Sequence, residues 1–157
     1  MVELCRVDDR MLHGQVAVTW VNQVAPDAIL IANDEAATNE MSKLAFKMAK
    51  PAGVKLAIKT VKDAAVLLND PRTKKTRIFL IVRTVQDALE LAKTTGSQIQ
   101  IINIGGMKKK EGSRQVAANV HMNEEDIAAL RELNSLVDKV EIQMVPSESK
   151  TDVKKII

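Results

Sequence analysis

Six short runs rich in Val, Ile and Leu punctuate the chain, at residues 2–7, 28–32, 54–58, 77–82, 99–104 and 137–145. Each is the length of a strand and too short for a packed helix. The run Ala28-Ile29-Leu30-Ile31-Ala32 has no polar alternation, the mark of a strand covered on both faces, and 77–82 is the most apolar and β-branched of all. It predicts a central strand. Between these runs apolar residues fall at helical spacing. A first helix over 15–24 carries Val16, Trp20, Val21 and Val24 on one side, and a second over 35–50 gathers Met41, Leu44, Ala45 and Met48 on one face. Further helices are expected over 61–68, over 85–93, and from Asn123 with Asp126 to about residue 133. Proline, glycine and Asn-Asp pairs at Pro26, Pro51, Gly53, Asn69-Asp70-Pro71, Gly96 and Pro146 separate the segments. Residues 114–122 fit a short strand or hairpin arm, and the lysine-bearing tail fits at most a short helix.

Strands alternating with helices of this length predict an α/β fold: a three-layer α/β/α arrangement with a mostly parallel sheet of about six strands. No repeat, low-complexity tract or linker divides the 157 residues, so one domain over 1–157 is expected. A chain of this length buries roughly 70% of the surface its unfolded form exposes.

Composition narrows the chemistry. One cysteine excludes an internal disulfide framework, and two histidines with that single cysteine argue against structural zinc, so neither metal nor cofactor is expected. A net charge of +3 allows an acidic partner, yet with no tyrosine, two phenylalanines and one tryptophan there is little to stack on bases, so nucleic acid is not an expected partner. No apolar run approaches the roughly 20 residues of a membrane span, and the N-terminus lacks signal-peptide character. The expected location is the cytoplasm, with any membrane contact made through partners.

The chemistry concentrates in Asp8-Asp9-Arg10-Met11-Leu12-His13-Gly14-Gln15-Val16, between the first strand and the first helix. In open α/β sheets the crevice beyond the carboxyl ends of the strands is the usual place for a site. There a helix N-terminus can hold an anion. Arg10 adds a fork-shaped cation suited to phosphate oxygens, Gln15 a neutral donor, and Gly14 room for close approach to the backbone. Asp8 or Asp9 can accept the proton on one ring nitrogen of His13 and fix the tautomer. A neutral imidazole among such donors suggests nucleophilic chemistry on a phosphoryl group. Thr84 can cap the helix over 85–93, with Asp87 three residues on, and its hydroxyl can also lie beside the His13 turn. Gly105-Gly106 ends a strand that can border the same crevice, and Lys108-Lys109-Lys110 follows as a solvated loop or a docking point. His121, alternating with apolar neighbours, fits a structural role, and Cys5, inside the first strand, fits a packed core thiol.

The nonapeptide, with Trp20, Asn33-Asp34-Glu35, Thr84 and Asn103-Ile104-Gly105-Gly106-Met107, resembles the IIB component of the mannose/fructose/sorbose family of the bacterial phosphoenolpyruvate-dependent sugar phosphotransferase system, which includes N-acetylgalactosamine members. The resemblance covers nearly the whole chain, with Met11 where that family more often has Leu. It implies a protein-N(pi)-phosphohistidine–sugar phosphotransferase in which His13 takes a phosphoryl group from a IIA protein and gives it to a sugar delivered by membrane IIC and IID components. Met11 and Leu12 are then expected to offer apolar contacts to those partners. The sugar and the oligomeric state, homo-oligomer included, stay open. The competing reading is a regulatory or binding module that retains the fold without the chemistry. Phosphocysteine chemistry at Cys5 is a further alternative.

Overall fold

The computed structural model describes residues 1–14 and 16–157. Its first five strands are β1 (Val2–Val7), β2 (Ala28–Ala32), β3 (Lys55–Lys59), β4 (Ile78–Val82) and β5 (Ile101–Ile104). A hairpin of β6 (Arg114–Ala117) and β7 (Val120–Met122) follows, then β8 (Lys139–Ile142) and the two-residue β9 (Thr151–Asp152). The main sheet runs β3-β2-β4-β1-β5-β8-β9, the first six parallel and β9 antiparallel to β8. Six parallel strands match the expected count. The seventh comes from the tail, where a short helix at most was expected; the chain instead pairs Glu141 with Asp152 before a single 3-10 turn, Val153–Lys155.

The helices are α1 (Val21–Val24), α2 (Asp34–Thr38), α3 (Glu40–Ala49), α4 (Val61–Asn69), α5 (Val85–Thr94) and α6 (Glu124–Leu136). They form two layers around the sheet. On one face, α4, α5 and α6 pack Val61, Leu68, Val85, Leu91, Ile127 and Leu130 onto Cys5, Leu80, Ile102 and Val140. On the other, α1 and α3 place Val21 and Phe46 over Leu4, Ile29, Phe79 and Ile81. Strands covered twice explain the near-continuous apolar runs in β2 and β4. Among the described residues no helix is long and apolar enough to cross a membrane.

Three expectations need correction. The first helix does not run evenly through its described part: Val16–Trp20 is a π-type turn that passes into α1, and Gln15 lies outside the described residues. The helix expected over 35–50 is two helices, because Asn39 leaves helical geometry (φ −107°, ψ 110°) and its side chain accepts the Ser42 N–H at 2.9 Å, capping α3. The apolar face of α3 points outward. Met41 is 83% exposed, Met48 79% and Leu44 59%, and the side chain that reaches the core is Phe46. Helical periodicity marks an apolar stripe, but it cannot say which side the sheet lies on once a neighbouring bulky residue competes for it.

That difference is measurable. Phe46→Ala is expected to cost about 3–5 kcal/mol in chemical denaturation. Met48→Lys, on the stripe that the sequence pattern would bury, should change stability by no more than about 0.5 kcal/mol.

Candidate functional site

The chain leaves β1 toward β2 on one side and leaves β5 toward β8 on the other. Strands whose connections diverge in this way open a crevice at their carboxyl ends. The turn after β1 is fixed to both neighbours: Asp8 N–H donates to the Val82 carbonyl at the end of β4 (3.0 Å), and Asp9 N–H to the Gly106 carbonyl after β5 (3.0 Å). Met11 N–H closes the turn on the Asp8 carbonyl at 2.9 Å. Met11 has φ +55°, a left-handed conformation that costs a non-glycine residue on the order of 1 kcal/mol or more. Its side chain and that of Leu12, 1% and 3% exposed, are held in the apolar cluster with Val16 and Trp20. Neither is a surface contact for a partner, contrary to expectation. They anchor the turn so that Arg10 and His13 reach toward the surface while Asp8 stays buried.

His13 projects from this anchor with its side chain 18% exposed. Its Nε2 lies 3.3 Å from Asp8 Oδ2, and its Nδ1 lies 2.8 Å from Arg10 Nη2. An arginine N–H can only donate, so Nδ1 carries the lone pair and the proton of a neutral ring sits on Nε2, donating to Asp8. The other oxygen of Asp8 accepts the Arg10 N–H at 3.0 Å. Asp9 turns away and accepts the Lys108 N–H at 2.6 Å, tying the loop after β5 to the turn. Of the two aspartates the sequence left open, Asp8 contacts the imidazole and Asp9 contacts the neighbouring loop.

The cavity beside His13 holds about 530 Å³. The turn residues Asp8, Asp9, Arg10 and His13 form one wall, Gly106 to Lys109 a second, and Ala118, Asn119, His121 and Met144 the remainder. Gly14 is exposed, and a Cβ built on it would meet no protein atom within 4 Å, so the space above it is open. Thr84 does not line this cavity. Its oxygen accepts the Asp87 N–H at 3.1 Å as the cap of α5, and it lines a smaller adjoining cavity of about 170 Å³ that shares Asp9, Met107, Lys108 and His121 with the first. The lysine triplet divides. Lys108 and Lys109 border the His13 cavity, whereas Lys110 Nζ lies 2.7 Å from the buried Asp126 carboxylate. Burial raises the Asp126 pKa, and its bonds from Lys110, Asn123 and Gln86 outweigh that and hold it below the usual carboxylate value.

Two features escaped the sequence pattern. His121 lines the His13 cavity, with its Nδ1 3.4 Å from the Met107 carbonyl, because the β6–β7 hairpin folds back over the crevice. Arg6, the last residue but one of β1, is 1% exposed and pairs with Asp8 Oδ2 at 3.0 Å behind His13. A charged residue inside a strand covered on both faces is itself a signal, since such residues are almost never fully buried unless paired. Cys5 beside it is fully buried on the opposite face, and burial pushes its thiol up to about 12, far from a thiolate at neutral pH.

Fold and site together define an α/β protein with an oriented imidazole at the carboxyl edge of a parallel sheet. The family model for the sorbose-subfamily IIB component of the phosphotransferase system matches residues 2–157, and the chain belongs to this family of phosphoryl carriers, phosphotransferases that act in sugar uptake. It is 39% identical over 162 residues to a protein of Streptococcus pyogenes serotype M6 named a probable phosphotransferase enzyme IIB component, covering 100% of this chain and 99% of that one. It is 32% identical over 153 residues to the sorbose-specific EIIB component of Lacticaseibacillus casei, covering 98% and 93%. The crystal structure of the IIBSor domain of the Klebsiella pneumoniae sorbose permease superposes with a TM-score of 0.93 at 29% identity, over 99% of this chain and 94% of that one.

Two glycines give opposite expectations. A Cβ on Gly105 would fall on the Arg6 guanidinium, so Gly105→Ala should destabilise the protein by about 1–3 kcal/mol. Gly14→Ala, placed in open space, should change denaturation stability by less than about 0.5 kcal/mol.

Proposed function

We propose that His13 is the phosphoryl acceptor of this IIB component and that its Nδ1 is the attacking atom. The observation that carries the reading is the division of labour on the ring: Nε2 faces Asp8 at 3.3 Å, while Nδ1 faces Arg10 at 2.8 Å beside the 530 Å³ cavity. The Nδ1 lone pair attacks the phosphorus of a phosphohistidine on the IIA partner, the donor's P–N bond breaks, and its electron pair returns to the donor ring. Positive charge that develops on His13 is met by the Asp8 carboxylate through the Nε2–H bond. Arg10 moves from Nδ1 to the phosphoryl oxygens, a displacement within reach of a long side chain. Gly14 leaves room for those oxygens, and Gln15 offers a neutral donor. Thr84, which lines the adjoining cavity and not that of His13, is the most distant of the phosphate-contact candidates, although its O–H is still free to donate while its oxygen caps α5; Asp9 serves the loop rather than the ring.

The second half-reaction sends the group from His13 to a sugar hydroxyl presented by the membrane IIC and IID components. The sugar oxygen forms the new P–O bond, the P–N bond breaks with its electron pair returning to Nδ1, and the hydroxyl proton passes to solvent or a base of the membrane component; the imidazole leaves neutral, its Nε2–H still donating to Asp8. Phosphoryl transfer of this kind relies on positioning and electrostatics. Donors that stabilise the phosphorylated resting state as much as the transition state do not speed onward transfer. One guanidinium on the reacting nitrogen, rather than a cage of them, fits a carrier that must release its cargo. In this reading the protein works at the cytoplasmic face of the membrane, recruited there by IIC and IID, and uses one exposed edge for two partners in turn.

The test is phosphate acceptance from phosphoenolpyruvate through the general phosphotransfer proteins and the cognate IIA. The intact chain and Cys5→Ser should take up label at similar rates, and His13→Ala should take up none. Label in His13→Ala at the intact rate would overturn the assignment. A labelled His13→Ala with an unlabelled Cys5→Ser would move the chemistry to the thiol.

A further inference from the structure

Arg6 lies wholly inside the molecule, yet its guanidinium contacts residues from several segments that meet behind His13. Nη2 donates to Asp8 Oδ2 at 3.0 Å and to the Met144 carbonyl at 3.1 Å. Nη1 donates to Asn103 Oδ1 on β5 and, at 3.2 Å, to the Gln143 carbonyl after β8. The Trp20 ring lies with its centroid 5.0 Å from Arg6 Cζ, and its indole N–H donates to the same Met144 carbonyl at 2.9 Å. Gly105 provides the space for the fork, since any side chain there would occupy it. The ends of β1, β5 and β8 and the turn before α1 thus meet on one cation, and that cation ends on the oxygen that also faces His13 Nε2.

We propose that Arg6 is a positioning residue for the reaction: it fixes Asp8 in place and balances its charge, so that His13 stays neutral with its proton on Nε2 and its lone pair on Nδ1. This rests on the reading of His13 as the acceptor. A buried carboxylate beside an imidazole without a compensating cation draws a proton onto the pair. The ring would then be imidazolium, with no lone pair to attack phosphorus. Arg6, shared on Asp8 Oδ2, removes that pull while leaving the hydrogen bond. The other charged or titratable groups facing the pair are Arg10 and Asp9 from the turn, Lys108 and Lys109 from the loop after β5, and His121 from β7. None of these touches Asp8 Oδ2 among the described contacts. Arg6 does so from behind, where no partner protein can reach it, and this gives the proposal a kinetic signature distinct from docking.

The experiment compares the intact chain, Arg6→Met and Arg6→Lys for phosphate transfer from the phosphorylated cognate IIA across pH, with kcat and KM read separately. Nitrogen-15 NMR of the His13 ring is recorded on each chain without donor. A prior control, localising phosphate to His13 in the intact chain by mass spectrometry, separates failure of the acceptor reading from failure of this one. Arg6→Met is expected to move the acid limb of the kcat profile to higher pH by about one unit or more, with the ring spectrum showing imidazolium over the same range. Arg6→Lys keeps the charge but loses the planar fork; its acid limb should stay within about 0.3 unit while kcat falls about tenfold or more and KM for the donor holds. An unshifted acid limb in folded Arg6→Met overturns the proposal. If Arg6→Met does not fold, Arg6→Lys decides: a tenfold loss in kcat at constant KM supports the role, and an intact kcat, or a loss confined to KM, overturns it.

Discussion

The structure depends at its reactive edge on one buried ion pair. Arg6 and Asp8 are 1% and 2% exposed, and removing two such charges from water costs several kcal/mol each before anything is regained. The regain comes from geometry. Four of the oxygens around the guanidinium belong to Asp8, Asn103, Gln143 and Met144, and the indole of Trp20 lies over it. Burial pulls the Arg6 pKa below its ordinary value, and the charge and hydrogen bond of Asp8 oppose that shift. An apolar substitute pair can stabilise a fold as well, but it cannot place a carboxylate oxygen behind a histidine. The pair therefore accounts for why Gly105 must lack a side chain, why Asn103 is polar inside a strand, and why Trp20 turns its N–H toward the Met144 carbonyl.

The same constraint explains the backbone of the turn. Asp8 N–H and Asp9 N–H are tied to the ends of β4 and β5, and the chain then has only two residues, Arg10 and Met11, in which to reverse before Leu12. Met11 accepts a left-handed conformation to do so, and the cost is offset by burying Met11 and Leu12 in the cluster under α1. The apolar residues of the signature thus serve the interior, and its polar residues serve the cavity. A histidine on such an anchor is held in one orientation by its backbone and its two ring contacts, which suits the acceptor role proposed for it.

Most of the architecture was legible in the sequence because strands covered on both faces leave long apolar runs, and the parallel alternation follows from the helices between them. Strand order was not, since β1 pairs with β4 and β5 rather than with β2, and hydropathy carries no information on neighbours. The outward face of α3 was misread for a physical reason. Met41, Leu44, Ala45 and Met48 form a good stripe, but Phe46 on the other side reaches the Phe79 and Ile81 cluster, and the Asn39 cap sets the rotation of the helix that lets it do so. At the site, His13 and Arg10 were visible because polar residues at a strand-to-helix turn stand out. Arg6 was hidden by lying inside the strand that precedes them, and His121 by a hairpin whose return over the crevice is a tertiary event.

These placements bear on how a carrier can hold a phosphoryl group without keeping it. The cations of the region are placed differently around His13. Arg10 is on Nδ1, Lys108 and Lys109 border the cavity, Lys110 is paired with Asp126, and Arg6 is buried behind Asp8. In the proposed transfer Arg10, the cation already on the ring, follows the phosphoryl oxygens. The lysines act through the cavity's potential, which draws a negatively charged donor toward the edge and is screened by salt. Arg6 acts on the nucleophile rather than on the phosphate. In the proposed mechanism affinity for the group stays modest while the reactivity of the ring is protected, because one guanidinium of the region is paired with the Asp8 carboxylate rather than turned toward the cavity.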